Sequence, residues 1–178
     1  FNNGFNNIND FGAFFHLFNH MLMKGLAFLS VGALIYGMFL QNNSHASLKV
    51  EDLAGTAQKY PWVALALSLA VLGLGGLPPL AGFMSKWQIF VAGFQTQNEW
   101  VIALMIFMAL NSVLSLAYYA PLVNLMYRKT PSAQVLAGKP LSWAITLPLV
   151  TMTLAVIILG LMPQLMSSST ASAAQTLL

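Results

Sequence analysis

Four predominantly apolar stretches, residues 11–40, 61–94, 100–127 and 141–165, set the limits on what this chain can fold into. About 20 such residues wound as a helix span a hydrocarbon core of ~30 Å. Inside a bilayer every backbone N–H and C=O must find a partner within the protein, which makes helices the natural spanning element. Charged residues make up 6% of the chain, against about 25% in soluble domains, too few to coat a soluble fold of this size. The sequence therefore predicts an all-α fold: a polytopic transmembrane helix bundle with about four crossings, forming a single transmembrane domain over 1–178. The chain contains no cysteine, which excludes thiolate metal clusters and disulfides. Its net charge of +3 is too thinly spread for a nucleic-acid partner.

The second crossing is unusual. It starts at Pro61, a favourable first helical position, and stays apolar through Leu74 before meeting "GGLPPLAG". Each proline there removes a donor and clashes with the carbonyl four residues back, so an ordinary helix cannot continue. The apolar sequence resumes in "FMSKWQIFVAGF", and 61–94 reads as one discontinuous crossing made of two half-helices. Such a break is tolerated at membrane depth only where protein or a water-filled cavity satisfies the freed backbone. The alternative is a re-entrant hairpin with a tight turn.

Charge distribution favours the broken crossing. With four crossings, the polar loop 41–60, expected to hold a short helix near its end, and the loop after the third crossing lie on one side. Together they carry Lys49, Lys59, Arg128, Lys129 and Lys139, while the loops of the opposite side carry no Lys or Arg. A hairpin at the break would divide those residues between the two sides. By the positive-inside rule the basic loops face the cytoplasm of a cell inner membrane, and the polar tail 166–178 lies outside.

Within the first crossing, "FHLFNHMLMKGLAFL" sets His16, His20 and Lys24 at four-residue intervals. At ~100° per residue these positions fall within an arc of about 80°, forming a ladder with rungs about 6 Å apart. Lys24 stands 13 and 16 residues from the two ends of the segment, roughly 20 Å of helix, which is farther than a lysine side chain can snorkel. An ionisable group held there costs at least ~2.5 kcal/mol and usually faces a bundle interior or a wet cavity. Desolvation works against the charged form of a lysine, which brings proton exchange at neutral pH within reach. Histidine already titrates there. The ladder reads as a proton relay, and Lys86, just beyond the break, repeats the motif near mid-membrane.

Other readings exist for these residues. His-x3-His on one helix face can ligate a metal, but no carboxylate or cysteine is near in sequence and an adjacent ammonium opposes a cation, so no metal and no cofactor is expected. A lone histidine can be a hydrogen-bonded core residue, and Lys24 can pair with a carboxylate of another helix as structural glue. Asn111 and Ser112 in the third crossing read as cross-helix bonding groups. Tyr118, Tyr119, Trp100 and Trp143 read as interfacial anchors.

These motifs resemble the antiporter-like subunits of respiratory complex I (NADH:quinone oxidoreductase) and their relatives in Mrp-type antiporters and membrane-bound hydrogenases. "HLFNHMLMKGLAFLSVGAL", "DLAGTAQKYPW" and "GGLPPLAGFMSKW" carry the likeness, over most of residues 11 to 127. The resemblance implies a longer subunit built from two inverted repeats, of which this chain, opening at Phe1 with a single break, corresponds to the C-terminal half. It implies Lys24 as the central-axis lysine, His16 and His20 as relay partners and Lys86 as the lysine of the broken helix. It also implies that other membrane subunits of a respiratory complex or hydrogenase, the lipid bilayer, and protons and water are the partners. The subtype stays open: "DLAG" and "NSVLSLAYY" resemble the N-type, while the His-His-Lys ladder and "SKW" resemble the hydrogenase-related and M/L branches. The function expected is a proton-translocating, cofactor-free membrane subunit of a complex I-type oxidoreductase with the redox chemistry in partner subunits; its rivals are a Mrp-type cation/proton antiporter subunit, a membrane-bound hydrogenase antiporter-like subunit and a structural membrane scaffold.

Overall fold

The computed structural model describes residues 3–40 and 47–163, with residues 3–11 described by their backbone alone. The long helices are α1 (Asn3–Met38), α3 (Pro61–Gly75), α4 (Ala81–Gln95), α5 (Glu99–Met126) and α7 (Trp143–Leu161), joined by the short α2 (Thr56–Lys59) and α6 (Ala133–Ala137) and a 3₁₀ turn at Val50–Leu53. Among the described residues, three helices are long and apolar enough to cross a membrane: Gly12–Met38, Glu99–Met126 and Trp143–Leu161. The fourth crossing is the pair α3 and α4. The helix extends N-terminal to the apolar stretch 11–40, so α1 begins at Asn3, earlier than its apolar run.

Contacts along α1 decide between a broken crossing and a hairpin. Tyr60 packs on Gly37, Gly73 on Met23, Ala81 bonds Asn19, Ser85 bonds His16 and Gln88 covers Gly12. As the chain advances from 60 to 88 its neighbours on α1 fall steadily from 37 to 12. A hairpin reverses direction at its turn; α3 and α4 continue in one direction, antiparallel to α1. On the other flank, Met105 meets Gly93, Ser112 meets Lys86 and Leu116 meets Gly75, so α5 runs back along the broken crossing. Helix α7 closes the bundle, with Met152 against Gly25 and Gly160 against the Pro79 carbonyl.

The buried face of α1 (Phe15, Asn19, Met23, Leu26, Ser30, Ala33, Gly37) repeats every three or four residues, the stripe a helix needs to face a bundle. Leu34, Val63, Leu67, Leu149 and Val156 complete the core between α1, α3 and α7. Helix α5 differs: Leu104, Phe107, Leu110, Val113 and Leu114 are all exposed, and Met126 is its one buried residue.

The two basic loops form one folded cap. Ser132 donates from its N–H to the Ala54 carbonyl and from its hydroxyl to the Asp52 carbonyl; Gln58 donates to the carbonyls of Arg128 and Lys129. Lys59 reaches the Leu136 carbonyl, the Tyr60 hydroxyl donates to the Lys139 carbonyl, and the Lys139 N–H donates to the Gly37 carbonyl. Loops bonded this way lie at the same end of the bundle, as the four-crossing reading requires. The expected position of the tail 166–178 falls outside the described residues.

Candidate functional site

The site is built around the break, and the break follows from backbone chemistry. Gly76 takes the left-handed conformation (φ 88°), Gly76 N–H donates to the Gly73 carbonyl and Leu77 N–H to the Leu72 carbonyl. This is the Schellman ending, in which glycine at the left-handed position carries no Cβ penalty. The next carbonyl, Leu74, has as its helical partner residue 78, a proline without an N–H. Lys86 fills that role: its Nζ donates to the Leu74 carbonyl at 2.9 Å. A cation also suits this position, because the carbonyl end of a helix carries partial negative charge.

A second bond holds the same ammonium. Nζ donates to Ser112 Oγ of α5 at 2.9 Å. The lysine stem crosses Gly76, where an added Cβ would stand 3.3 Å from both Nζ and Cδ. Gly82 lets the start of α4 approach the end of α3: a Cβ there would collide with the Gly73 carbonyl oxygen. Glycines at 76 and 82 therefore bring Lys86 to the carbonyl that proline leaves open.

On the α1 side of α4, His16 Nδ1 lies 2.9 Å from Ser85 Oγ, and the same hydroxyl donates to the Gly82 carbonyl at 3.2 Å. The rings of His16 and His20 are 5.8 Å apart. Both histidines lie close enough to Lys86 to interact with its charge, and His20 interacts likewise with Lys24. Two buried amide groups flank these residues. Asn19 is fully buried and donates to the Ala81 carbonyl at 3.4 Å, but its Oδ1 has no partner among the described residues, and neither has Gln88 Oε1.

The structure thus brings His16, His20 and Lys86 together around the start of α4. Lys24 is placed differently. It lies at the depth of the break, since the adjacent Met23 packs on Gly73 and Gly82, but on an exposed face of α1. Helix α4 begins opposite Asn19 and so covers His16, while the ladder emerges from cover one turn later. Ser85, Ser112, Asn19, Gln88 and the Leu74 carbonyl were not among the expected site residues. Ser112 does bond across helices as expected, but its partner is the site lysine. Tyr119, expected as an interfacial anchor, is part-buried and lies beside Gly75 at the break. The Leu74 carbonyl was legible in principle, because a proline four residues on always orphans a helical carbonyl.

Among the described residues, no group of three His, Cys, Asp or Glu side chains is arranged to hold a metal ion. An apolar cleft of about 780 Å³ opens between α4 and α5, lined by Trp87, Phe90, Phe94, Met105 and Leu110.

Residues 3–110 match the membrane family described as NADH:quinone oxidoreductase/Mrp antiporter. The chain belongs to that family. NADH-quinone oxidoreductase subunit N of Bdellovibrio bacteriovorus is 34% identical over 141 residues, 79% of this chain and 28% of the relative. A chain of respiratory complex I from Thermus thermophilus superposes with a TM-score of 0.67 at 28% identity, over 86% of this chain and 33% of that one. A chain of the Mrp complex from Dietzia sp. DQ12-45-1b superposes with a TM-score of 0.77 over 94% of this chain and 38% of that one, and at 19% identity this likeness speaks to fold alone. The chain therefore spans under a third of the length of the curated subunit N it matches.

Proposed function

We propose that the chain is part of a proton-translocating, cofactor-free membrane subunit of a complex I-type NADH:quinone oxidoreductase, in which partner subunits carry out electron transfer. Lys86, His16, His20 and Lys24 are the groups that hold and pass protons. The observation that carries this reading is the placement of Lys86. It is bonded to a carbonyl that Pro78 cannot satisfy, at the interruption of a crossing, and within electrostatic reach of two histidines. Among the described residues the bonds of Nζ go to a carbonyl and a hydroxyl and to no carboxylate.

Confined water would join these groups into a path. Asn19 Oδ1 and Gln88 Oε1 are buried acceptors without protein donors, and such atoms ordinarily bind water. They flank the His16–Ser85 pair. Two positive groups sharing one hydrated layer repel when both are charged, so a proton arriving at one favours release from the other. That coupling is the means by which events in neighbouring subunits could drive the row. The basic cap faces the cytoplasm of a bacterial inner membrane by the positive-inside rule, which puts His16 nearer the outer face.

The test is the proton-to-electron ratio of the assembled complex in inverted vesicles. Lys86→Ala and Lys24→Ala are each expected to lower it, and an unchanged ratio in both variants contradicts the proposal. Sodium-dependent dye quenching without any electron donor would instead support a Mrp-type cation/proton exchanger.

A further inference from the structure

From the bonding of Lys86 we infer that Ser112 is the side chain through which this lysine exchanges its proton. The inference rests on the reading of Lys86 as a proton carrier and deepens it by naming the first step away from the nitrogen.

The argument starts from what each partner of Nζ can do. The Leu74 carbonyl can only accept. The Ser112 hydroxyl can accept and donate, and it alone among the bonded partners of Nζ has both capacities. When Lys86 is an ammonium, Nζ donates to Ser112 Oγ. When it is a neutral amine, two N–H groups remain and the nitrogen exposes a lone pair that needs a donor. The carbonyl cannot supply one. The serine hydroxyl can, by turning about its Cβ–Oγ bond while both residues keep their positions. Both protonation states are thus satisfied at one site, at the cost of a single hydroxyl rotation.

The exchange is balanced at each atom. Nζ gives a proton to Oγ, so one N–H bond breaks and one O–H bond forms. The original hydroxyl proton passes to a water molecule on the far side of Oγ, and serine ends neutral. The new O–H bond already points at the nitrogen lone pair, which it satisfies. Uptake is the reverse. Among the described residues neither His16 nor His20 bonds Nζ, and His16 Nδ1 is engaged with Ser85, so the first step away from the nitrogen runs toward α5. The titratable groups facing the lysine are His16 and His20 from α1 and Tyr119 from α5; α3 and α7 contain none.

Ser112→Ala, Ser112→Thr and Ser112→Cys in the assembled complex test this, with the proton-to-electron ratio measured from pH 6 to 9 in H₂O and in D₂O and Lys86→Ala run alongside. Losing a positioned proton-transfer group costs about 10²-fold in the transfer step, so the alanine variant should lose most of its pumping, with a steeper pH dependence and an altered isotope effect. Threonine, which keeps the hydroxyl, should restore the wild-type ratio and profile. If the alanine variant does not assemble, cysteine preserves the size while weakening the hydrogen bond, and should fall between alanine and wild type. A wild-type ratio and pH profile in the alanine or cysteine variant overturns the inference, and so does a threonine variant as poor as alanine, since packing would then explain the loss. If Lys86→Ala itself pumps normally, the reading beneath the inference fails instead.

Discussion

Two lysines, each in an apolar segment and each at the depth of the break, have been handled differently by the same bundle. Lys86 lies under α5, bonded to the Leu74 carbonyl and to Ser112. Lys24 lies on an open face of α1, beyond the point where α4 stops covering that helix. The difference is not one of residue type or of local apolarity. A lysine is retained inside when the backbone beside it offers an unsatisfied acceptor, and proline creates one at the break. A regular helix such as α1 satisfies its own carbonyls and offers nothing to Lys24. Interrupted backbone is thus what converts a costly buried charge into a held one.

This contrast can be broken by mutation. The largest effect is expected for Lys86→Ala, which removes the proton carrier and also leaves Leu74 without a donor. Proton pumping should fall by about tenfold or more, and the α3–α4 junction should loosen by about 1–3 kcal/mol, the usual penalty for an unsatisfied buried acceptor. Assembly yield and dye-quench rate measure the two losses separately. Next comes Gly76→Ala. It forces a Cβ into a left-handed conformation, at about 1–2 kcal/mol, and crowds the lysine stem, so pumping and thermal stability should fall together. Lys24→Ala should lower pumping while leaving thermal stability within about 0.5 kcal/mol, the range for exposed positions. If it destabilises as much as Lys86→Ala, the contrast drawn here is wrong.

The smallest effect lies in the cap. Burial pushes the Tyr60 phenol above its ordinary value of 10.0. The folded state therefore holds this proton more tightly than the unfolded chain does. The stabilisation is complete below the ordinary phenol range and is lost as pH rises through the folded value. Tyr60→Phe should cost about 1 kcal/mol by losing the bond to the Lys139 carbonyl. It should also flatten the decline in thermal stability at strongly alkaline pH, with pumping at neutral pH unchanged.

Much of this architecture was legible in the sequence because it depends on length and on backbone chemistry. The apolar runs located the crossings to within a few residues, and "GGLPP" located the break. The grouping of basic residues indicated that the two loops share one side, and the hydrogen bonds of the cap bear this out. The expected ladder is present on α1, but which part of it is covered depends on where α4 begins packing, and periodicity within one helix carries no such information. Ser112 shows the same limit: a serine in an apolar helix looks like any other until the neighbouring helix brings a lysine to it. Asn19 and Gln88 were passed over because their significance lies in what their oxygens lack, a property of the packed state.

The most direct test of the central claim is the proton-to-electron ratio of the complex carrying Lys86→Arg. Arginine can donate to Leu74 and Ser112 and keeps the positive charge, but it does not release a proton within proteins. If Lys86 works by exchanging protons, this variant should assemble, transfer electrons and pump as poorly as Lys86→Ala. A wild-type ratio with arginine in place would contradict the account, because a fixed charge would then be sufficient.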